Sequence, residues 1–393
     1  MSHLYIHIPF CKTRCVYCDF YSQTSLSYKD EYIQAVIREL ELRKDYLEDD
    51  AIKTIYIGGG TPSLLHPRDF ELIFNAINRL YDTSSCTEIT LEANPEDMTG
   101  DYVSSIRQFP FNRISMGVQS FNEQDLLLLN RRHTARQALH AISCCMDGGF
   151  SNINIDLIYG LPEQTLQTWE ANLSQALRLS VPHLSVYSLT YEEGTEIYRQ
   201  LQAGLIQPVS EETVVLLFDM LVDGLEAAGY VHYEISNFSK PGFFSRHNMA
   251  YWTDRKYIGI GAAAHSYNHL SRQWNIASLP DYIKGIAMAR PPESAFYVQT
   301  GRAPSPNLPP FIEYESIDEK TRYNDYILTH LRTMWGINLV DFLELFGQER
   351  VTCLLQQVIP FTNNGMIEKD ENKLRITRKG MLLTDGIIRE LML

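Results

Sequence analysis

Positive charge is what this chain has least of: 34 Lys and Arg stand against 48 Asp and Glu in 393 residues, a formal net charge of −14. Phosphate neutralisation needs a surplus of cations, so no nucleic-acid partner is expected. No apolar run approaches the ~20 residues of a membrane span. The opening Met1-Ser-His-Leu4 lacks the basic region and apolar stretch of a secretory signal. Seven cysteines, an odd number, give no disulfide framework and fit reduced thiols, so the expected location is cytoplasmic. Cys86, Cys144, Cys145 and Cys353 read as buried or incidental. Phosphate-binding fingerprints are missing as well. Gly58-Gly-Gly60 follows a strand-like run but is part of neither a G-x-G-x-x-G nor a Gly-Lys-Ser loop.

What is present is concentrated at the start. Cys11-Lys-Thr-Arg-Cys15-Val-Tyr-Cys18 puts three thiols within eight residues, with Phe20 where a fourth cysteine could stand. Iron–sulfur clusters normally take four thiolates. Three would hold three corners of a cubane and leave the fourth iron open to an outside ligand. Zinc is the alternative, but structural zinc takes four Cys or His ligands, usually as separated pairs. His3 and His7 lie near, yet both precede the loop. The triplet follows the strand-like Leu4–Phe10 and so falls at the carboxyl end of a strand, where α/β proteins build their sites.

Six β-branched runs (4–10, 54–58, 88–92, 113–118, 153–159 and 183–189) alternate with helical patterns at 29–48, 67–81, 134–148 and 164–179. Alternation of this kind predicts βα units around a parallel sheet. Six units are too few for a closed eight-stranded barrel, so the expectation is an α/β fold with a partial (β/α)6 barrel over residues 1–200. Residues 201–290 read as a barrel extension, with a helix at 210–228, a strand-like 230–237 and a glycine-rich 258–265. Six prolines between 291 and 310 predict an extended linker over 291–315. Residues 316–393 then read as a small winged-helix-like α+β domain with two short strands and a terminal helix from Lys379. Its Lys369, Lys373, Arg375, Arg378 and Lys379 read as a solvated face, not a DNA-binding one.

Each strand ends in a distinctive turn. Gly58-Gly-Gly-Thr-Pro62, Leu91-Glu-Ala-Asn-Pro95, Gly117-Val-Gln-Ser-Phe121, Arg131-Arg-His-Thr134 and Asp156-Leu-Ile-Tyr-Gly-Leu-Pro162 join the cysteine triplet. Together they resemble the radical S-adenosylmethionine (SAM) superfamily, and within it the oxygen-independent coproporphyrinogen III dehydrogenases and their paralogues, the HemW-type heme chaperones. The resemblance spans essentially the whole chain. It implies a [4Fe-4S] cluster on Cys11, Cys15 and Cys18 whose open iron is chelated by SAM. An electron from the reduced cluster would cleave the sulfonium C–S bond, giving methionine and a 5′-deoxyadenosyl radical; the cofactors carry that chemistry. By motif position Tyr5, Gly59, Gly60 and Glu92 would line the SAM site, Thr61, Gln119, Arg131 and Asp156 would contact SAM as well, and Tyr17 would pack nearby. Arg131 and Asp156 could instead pair with each other across the barrel mouth.

Two features separate the paralogues. The dehydrogenases resemble Cys-x3-Cys-x2-Cys-x-Cys, whereas the last position here is Phe20, which cannot act as a thiol. Arg246-His-Asn-Met-Ala-Tyr-Trp252 matches the His-Asn-x-x-Tyr-Trp signature of the chaperones. By that resemblance His247 would ligate heme, with Asn248 beside it and Tyr251 and Trp252 covering a porphyrin face. A histidine satisfied within a hydrogen-bonded core is the alternative. The resemblance thus implies a protein that binds heme and passes it to apo-hemoproteins. Radical decarboxylation of coproporphyrinogen III to protoporphyrinogen IX is the competing function. Membrane association is compatible with a chaperone of this kind, although no polybasic patch marks it.

Overall fold

The computed structural model describes residues 2–48, 51–289 and 311–393. The six expected strands are all present: β1 (Ser2–Ile8), β2 (Ile52–Gly59), β3 (Glu88–Ala93), β4 (Arg113–Gln119), β5 (Asn152–Tyr159) and β6 (His183–Ser188). They lie side by side in sequence order, each parallel to the next. Nearly every residue of β1 to β5 is buried, as in a parallel sheet covered on both faces. The helices that return the chain are α1 (Lys29–Leu42), α2 (Pro67–Leu80), α3 (Gly100–Ile106), α4 (Glu123–Leu128), α5 (Ala135–Asp147) and α6 (Leu166–Arg178). Thr134 with Gln137, and Thr165 with Thr168, form capping boxes that start α5 and α6 on the residue where their apolar pattern begins.

The sheet does not stop at six strands. After α7 (Glu196–Gln202) and α8 (Glu211–Ala227), β7 (Val231–Glu234) and β8 (Asn237–Ser239) form a hairpin antiparallel to β6. The chain then passes through α9 (Arg246–Trp252) to the opposite edge. There β9 (Tyr257–Ile260) runs parallel to β1, followed by β10 (His265–Tyr267) and β11 (Ser271–Asn275). Beyond α10 (Leu279–Met288), β12 (Ile312–Ser316) pairs with β11. One twelve-stranded sheet results, in the order β12-β11-β10-β9-β1-β2-β3-β4-β5-β6-β8-β7. Residues 312–315, expected within the linker, therefore belong to an edge strand of this sheet; 290–310 lie outside the described residues.

A buried ion pair locks the β9–β11 extension to the first helix. Arg43 donates to Glu39 Oε1, the Gly259 carbonyl, Ser266 Oγ and Gln273 Oε1, all at 3.0 Å. Glu39 also accepts from the Gly261 amide (2.8 Å) and the Tyr282 hydroxyl (2.6 Å).

The C-terminal unit has its own core, built on Tyr323, Ile327, Phe342, Leu354, Leu374 and Ile388. It comprises α11 (Glu319–His330), β13 (Ile337–Asn338), α12 (Leu339–Gln357), α13 (Ile359–Asn363), β14 (Ile367–Lys369), β15 (Lys373–Ile376), α14 (Arg378–Met381) and α15 (Thr384–Leu391). Its three strands are antiparallel. It docks on the barrel through the bridge Glu234–Thr333 and the Ile235 amide on the Arg332 carbonyl (3.0 Å). Arg378, expected on a solvated face, is exposed and pairs with Asp219 (2.9 Å) and Asp223 on α8.

Candidate functional site

The loop after β1 is pinned at its neck. The Cys11 amide donates to the Gln23 carbonyl (2.9 Å) and the Gln23 amide to the Pro9 carbonyl (2.7 Å). Within it the Cys18 amide donates to the Cys15 carbonyl at 3.3 Å. All three thiols are free, half-buried, and line one cavity of about 1020 Å³ at the carboxyl ends of the strands. Burial raises the Cys11 thiol and pushes Cys18 up to about 11. Iron must therefore displace protons on binding. Donors for thiolate or sulfide stand ready: Thr61 Oγ1 lies 3.4 Å from Cys11 Sγ, and Arg131 Nη1 lies 3.3 Å from Cys15 Sγ. Three thiols with a guanidinium and a hydroxyl beside them fit an anionic thiolate cluster.

The second strand reaches this loop because glycine lets it. Gly59 has φ +108°, and a Cβ there would sit 2.4 Å from His7 Nδ1. At Gly60 a Cβ would meet the Ile8 and Phe10 carbonyl oxygens at 2.8 Å. Only glycine accepts that conformation and approach without strain. Beside them Glu92, at the end of β3, accepts from the Tyr56 hydroxyl through Oε1 (2.6 Å) and from the Gly59 amide through Oε2 (2.8 Å). Burial pushes its carboxyl up to about 7 despite those donors. Asp156 on β5 is raised by burial to about 6 and accepts from Asn154 Nδ2 at 2.7 Å. Carboxyls held this high are primed to ionise when a cation arrives.

Arg131 donates to Asn94 Oδ1 (2.7 Å) and the Gly117 carbonyl (2.6 Å) as well as facing Cys15. Its partners are these, and not Asp156 across the mouth. Gln119 holds φ +69° where the β4–β5 register shifts, which turns the strand end into the cavity. The cavity thus gathers Cys11, Cys15, Tyr17, Cys18, Gly59, Gly60, Thr61, Glu92, Gln119, Arg131 and Asp156. Tyr5 stands outside its lining: its hydroxyl lies 2.9 Å from His7 Nδ1. Phe20 is 65% exposed, at the cavity rim. Two residues the sequence reading passed over matter here. Asn94 joins Arg131 to Thr61 (3.1 Å), and its signal was its place in Leu91-Glu-Ala-Asn-Pro95. Tyr56 carried no motif signal.

The His-Asn-x-x-Tyr-Trp segment is elsewhere, and His247, expected as a heme ligand, stands within a hydrogen-bonded core. It is 1% exposed, at the amino end of the barrel. Its Nδ1 lies 2.7 Å from Thr54 Oγ1 and its Nε2 2.9 Å from the Tyr251 hydroxyl, so both nitrogens are hydrogen-bonded. Its ring stacks on Tyr56, centroids 5.0 Å apart. Glu88 holds α9 in place by accepting from the Arg246 (2.9 Å) and His247 (3.0 Å) amides. Tyr251 meets the His247 and Tyr257 rings edge to face. Asn248 and Trp252 are half-buried on the same helix.

A parallel sheet with a cysteine triplet beyond its first strand defines a radical SAM protein, and residues 5–176 match the radical SAM superfamily. Residues 317–383 match the HemN C-terminal domain. The chain is 33% identical to the heme chaperone HemW of Lactococcus lactis, over 99% of this chain and 97% of that one. It is 32% identical to heme chaperone HemW of Bacillus subtilis, over 98% of each. It belongs to the HemW family of the radical SAM superfamily. Its fold superposes on coproporphyrinogen III oxidase (HemN) of Escherichia coli with a TM-score of 0.82 at 21% identity, covering 100% of this chain and 90% of that one. Among the described residues no helix is long and apolar enough to cross a membrane.

Proposed function

We propose that this protein is a heme chaperone, which binds heme and hands it to apo-hemoproteins while holding a [4Fe-4S] cluster and SAM. The observation that carries the reading is similarity along essentially the full length to proteins named heme chaperones. Phe20 in place of a fourth loop cysteine supports it against porphyrinogen oxidation. Cys11, Cys15 and Cys18 would hold the cluster, with Arg131 and Thr61 offsetting its negative charge. Glu92 would accept from the SAM ammonium or ribose hydroxyls, Gly59 and Gly60 would let SAM approach the backbone, and Gln119 and Asp156 would close the same cavity. Held there, the cluster would supply one-electron chemistry to SAM, and in a chaperone the pair would serve a regulatory or structural role. The chain's own part is to orient SAM and restrain water.

The test is anaerobic reconstitution, hemin titration, and transfer to an apo-hemoprotein acceptor followed by its recovered absorbance. Stoichiometric binding and transfer are expected. Multiple-turnover formation of protoporphyrinogen from coproporphyrinogen III, SAM and a reductant would replace the reading with the dehydrogenase one.

A further inference from the structure

A second cavity, of about 490 Å³, lies at the amino ends of the strands, opposite the cysteine loop. Lys53 and Thr54 at the start of β2 line it, whereas Gly59 at the end of β2 lines the first. Five residues at ~3.3 Å each separate the two by roughly 17 Å. We propose that this cavity is the heme site and that His3 Nε2 is the axial ligand to iron. The inference rests on the chaperone reading above.

His3 is 7% exposed and lines the cavity. Its Nδ1 lies 2.8 Å from Thr54 Oγ1, and among the described residues no hydrogen bond engages Nε2. A metal-binding imidazole characteristically commits one nitrogen to a hydrogen bond and the other to the metal. The Thr54 hydroxyl has one proton, and it touches both His3 Nδ1 and His247 Nδ1. If His247 Nε2–H donates to the Tyr251 hydroxyl, His247 Nδ1 accepts from Thr54. Thr54 then accepts from His3 Nδ1–H, which leaves a lone pair on His3 Nε2. The reverse order would put the proton on His3 Nε2, so only this order leaves that nitrogen able to ligate. His247 and Tyr251 are thereby positioning residues that fix the His3 tautomer through Thr54.

The walls and rim suit a porphyrin dicarboxylate. Phe244, Met249 and Trp335 supply half-buried apolar surface, the two rings meeting edge to face at 6.0 Å. Lys53, Arg246 and Arg255 stand around the same cavity in a chain of net charge −14. Among the described residues none of the three is in an ion pair, so all are free to meet propionates. The volume falls within the ~300–1,000 Å³ of small-molecule sites. Arg246 and Arg255 are exposed, as a site that must release its cargo requires.

Hemin titration followed by Soret absorbance and paramagnetic resonance tests this on the full-length reconstituted protein. His3→Ala is expected to lose the histidine-ligated spectrum and bind hemin at least tenfold more weakly, with added imidazole restoring the spectrum. The double variant Arg246→Glu/Arg255→Glu, which leaves the core untouched, is expected to weaken binding at least tenfold with the ligation spectrum kept. His247→Gln is expected to retain histidine ligation. Cluster content and SAM binding serve as controls for folding in each variant. If wild type binds no hemin, the chaperone reading itself fails. If wild type binds and the His3 and arginine variants match it, or His247→Gln alone loses ligation, the site is misassigned and the chaperone reading stands.

Discussion

Protonation of Glu92 should govern how tightly the chain holds SAM around neutral pH. The carboxylate takes the Tyr56 hydroxyl on one oxygen and the Gly59 amide on the other, and burial lifts its carboxyl from an ordinary 4.5 to about 7. It accepts from an ammonium only when ionised, so SAM binding and proton release are linked. The sign follows: affinity is greatest above pH 7 and falls as protons compete below it. With a ligand-free pKa near 7, about nine-tenths of the carboxyl is ionised at pH 8 and about one-tenth at pH 6. The apparent Kd should therefore rise about tenfold between them. Glu92→Gln cannot ionise and should bind more weakly throughout without this step. The assay is equilibrium dialysis of SAM against anaerobically reconstituted protein at pH 6, 7 and 8. Taking the wild-type-to-variant ratio at each pH cancels the titration of SAM and of the thiols. A ratio that stays flat from pH 6 to pH 8 would refute the role of Glu92.

Tyr56→Phe removes the hydroxyl that stabilises ionised Glu92, a hydrogen bond to a charged group worth about 1.5–3 kcal/mol. SAM affinity at pH 7 should fall roughly tenfold by the same dialysis, and an unchanged Kd would show that Tyr56 is only packing. Cys15→Ser should abolish reconstituted iron and the broad cluster absorbance, while Cys86→Ser, remote from the cavity lining, should keep both; equal iron contents would overturn the ligand set. Arg43→Met leaves Glu39 buried without its cation and should cost about 3–5 kcal/mol, read from the urea midpoint. A loss below about 1 kcal/mol would mean that the amide and hydroxyl donors to Glu39 suffice.

What was legible in the chain, and what was not, divides by the range of the interaction that decides it. The six parallel strands stood out because strands buried on both faces must be continuous apolar runs, and the cysteine loop because its spacing is local. The cross-link of Arg43 to Gly259, Ser266 and Gln273 spans more than two hundred residues and leaves no local trace. The same holds for β12, which the prolines before it hid.

Helix α9 is the sharpest case, because seven residues carry too little period to say which face turns inward. His247 and Tyr251 are four apart and share a face, and that face packs into the barrel. Arg246, Met249, Ala250 and Thr253, spaced i, i+3, i+4 and i+7, necessarily form the other, and it is this face that lines the amino-end cavity. With heme in the amino-end cavity, as proposed, the motif is a helix with two duties. Its conspicuous histidine and tyrosine order a hydrogen-bonded chain inside the barrel, while the inconspicuous residues of its other face line the cavity outside.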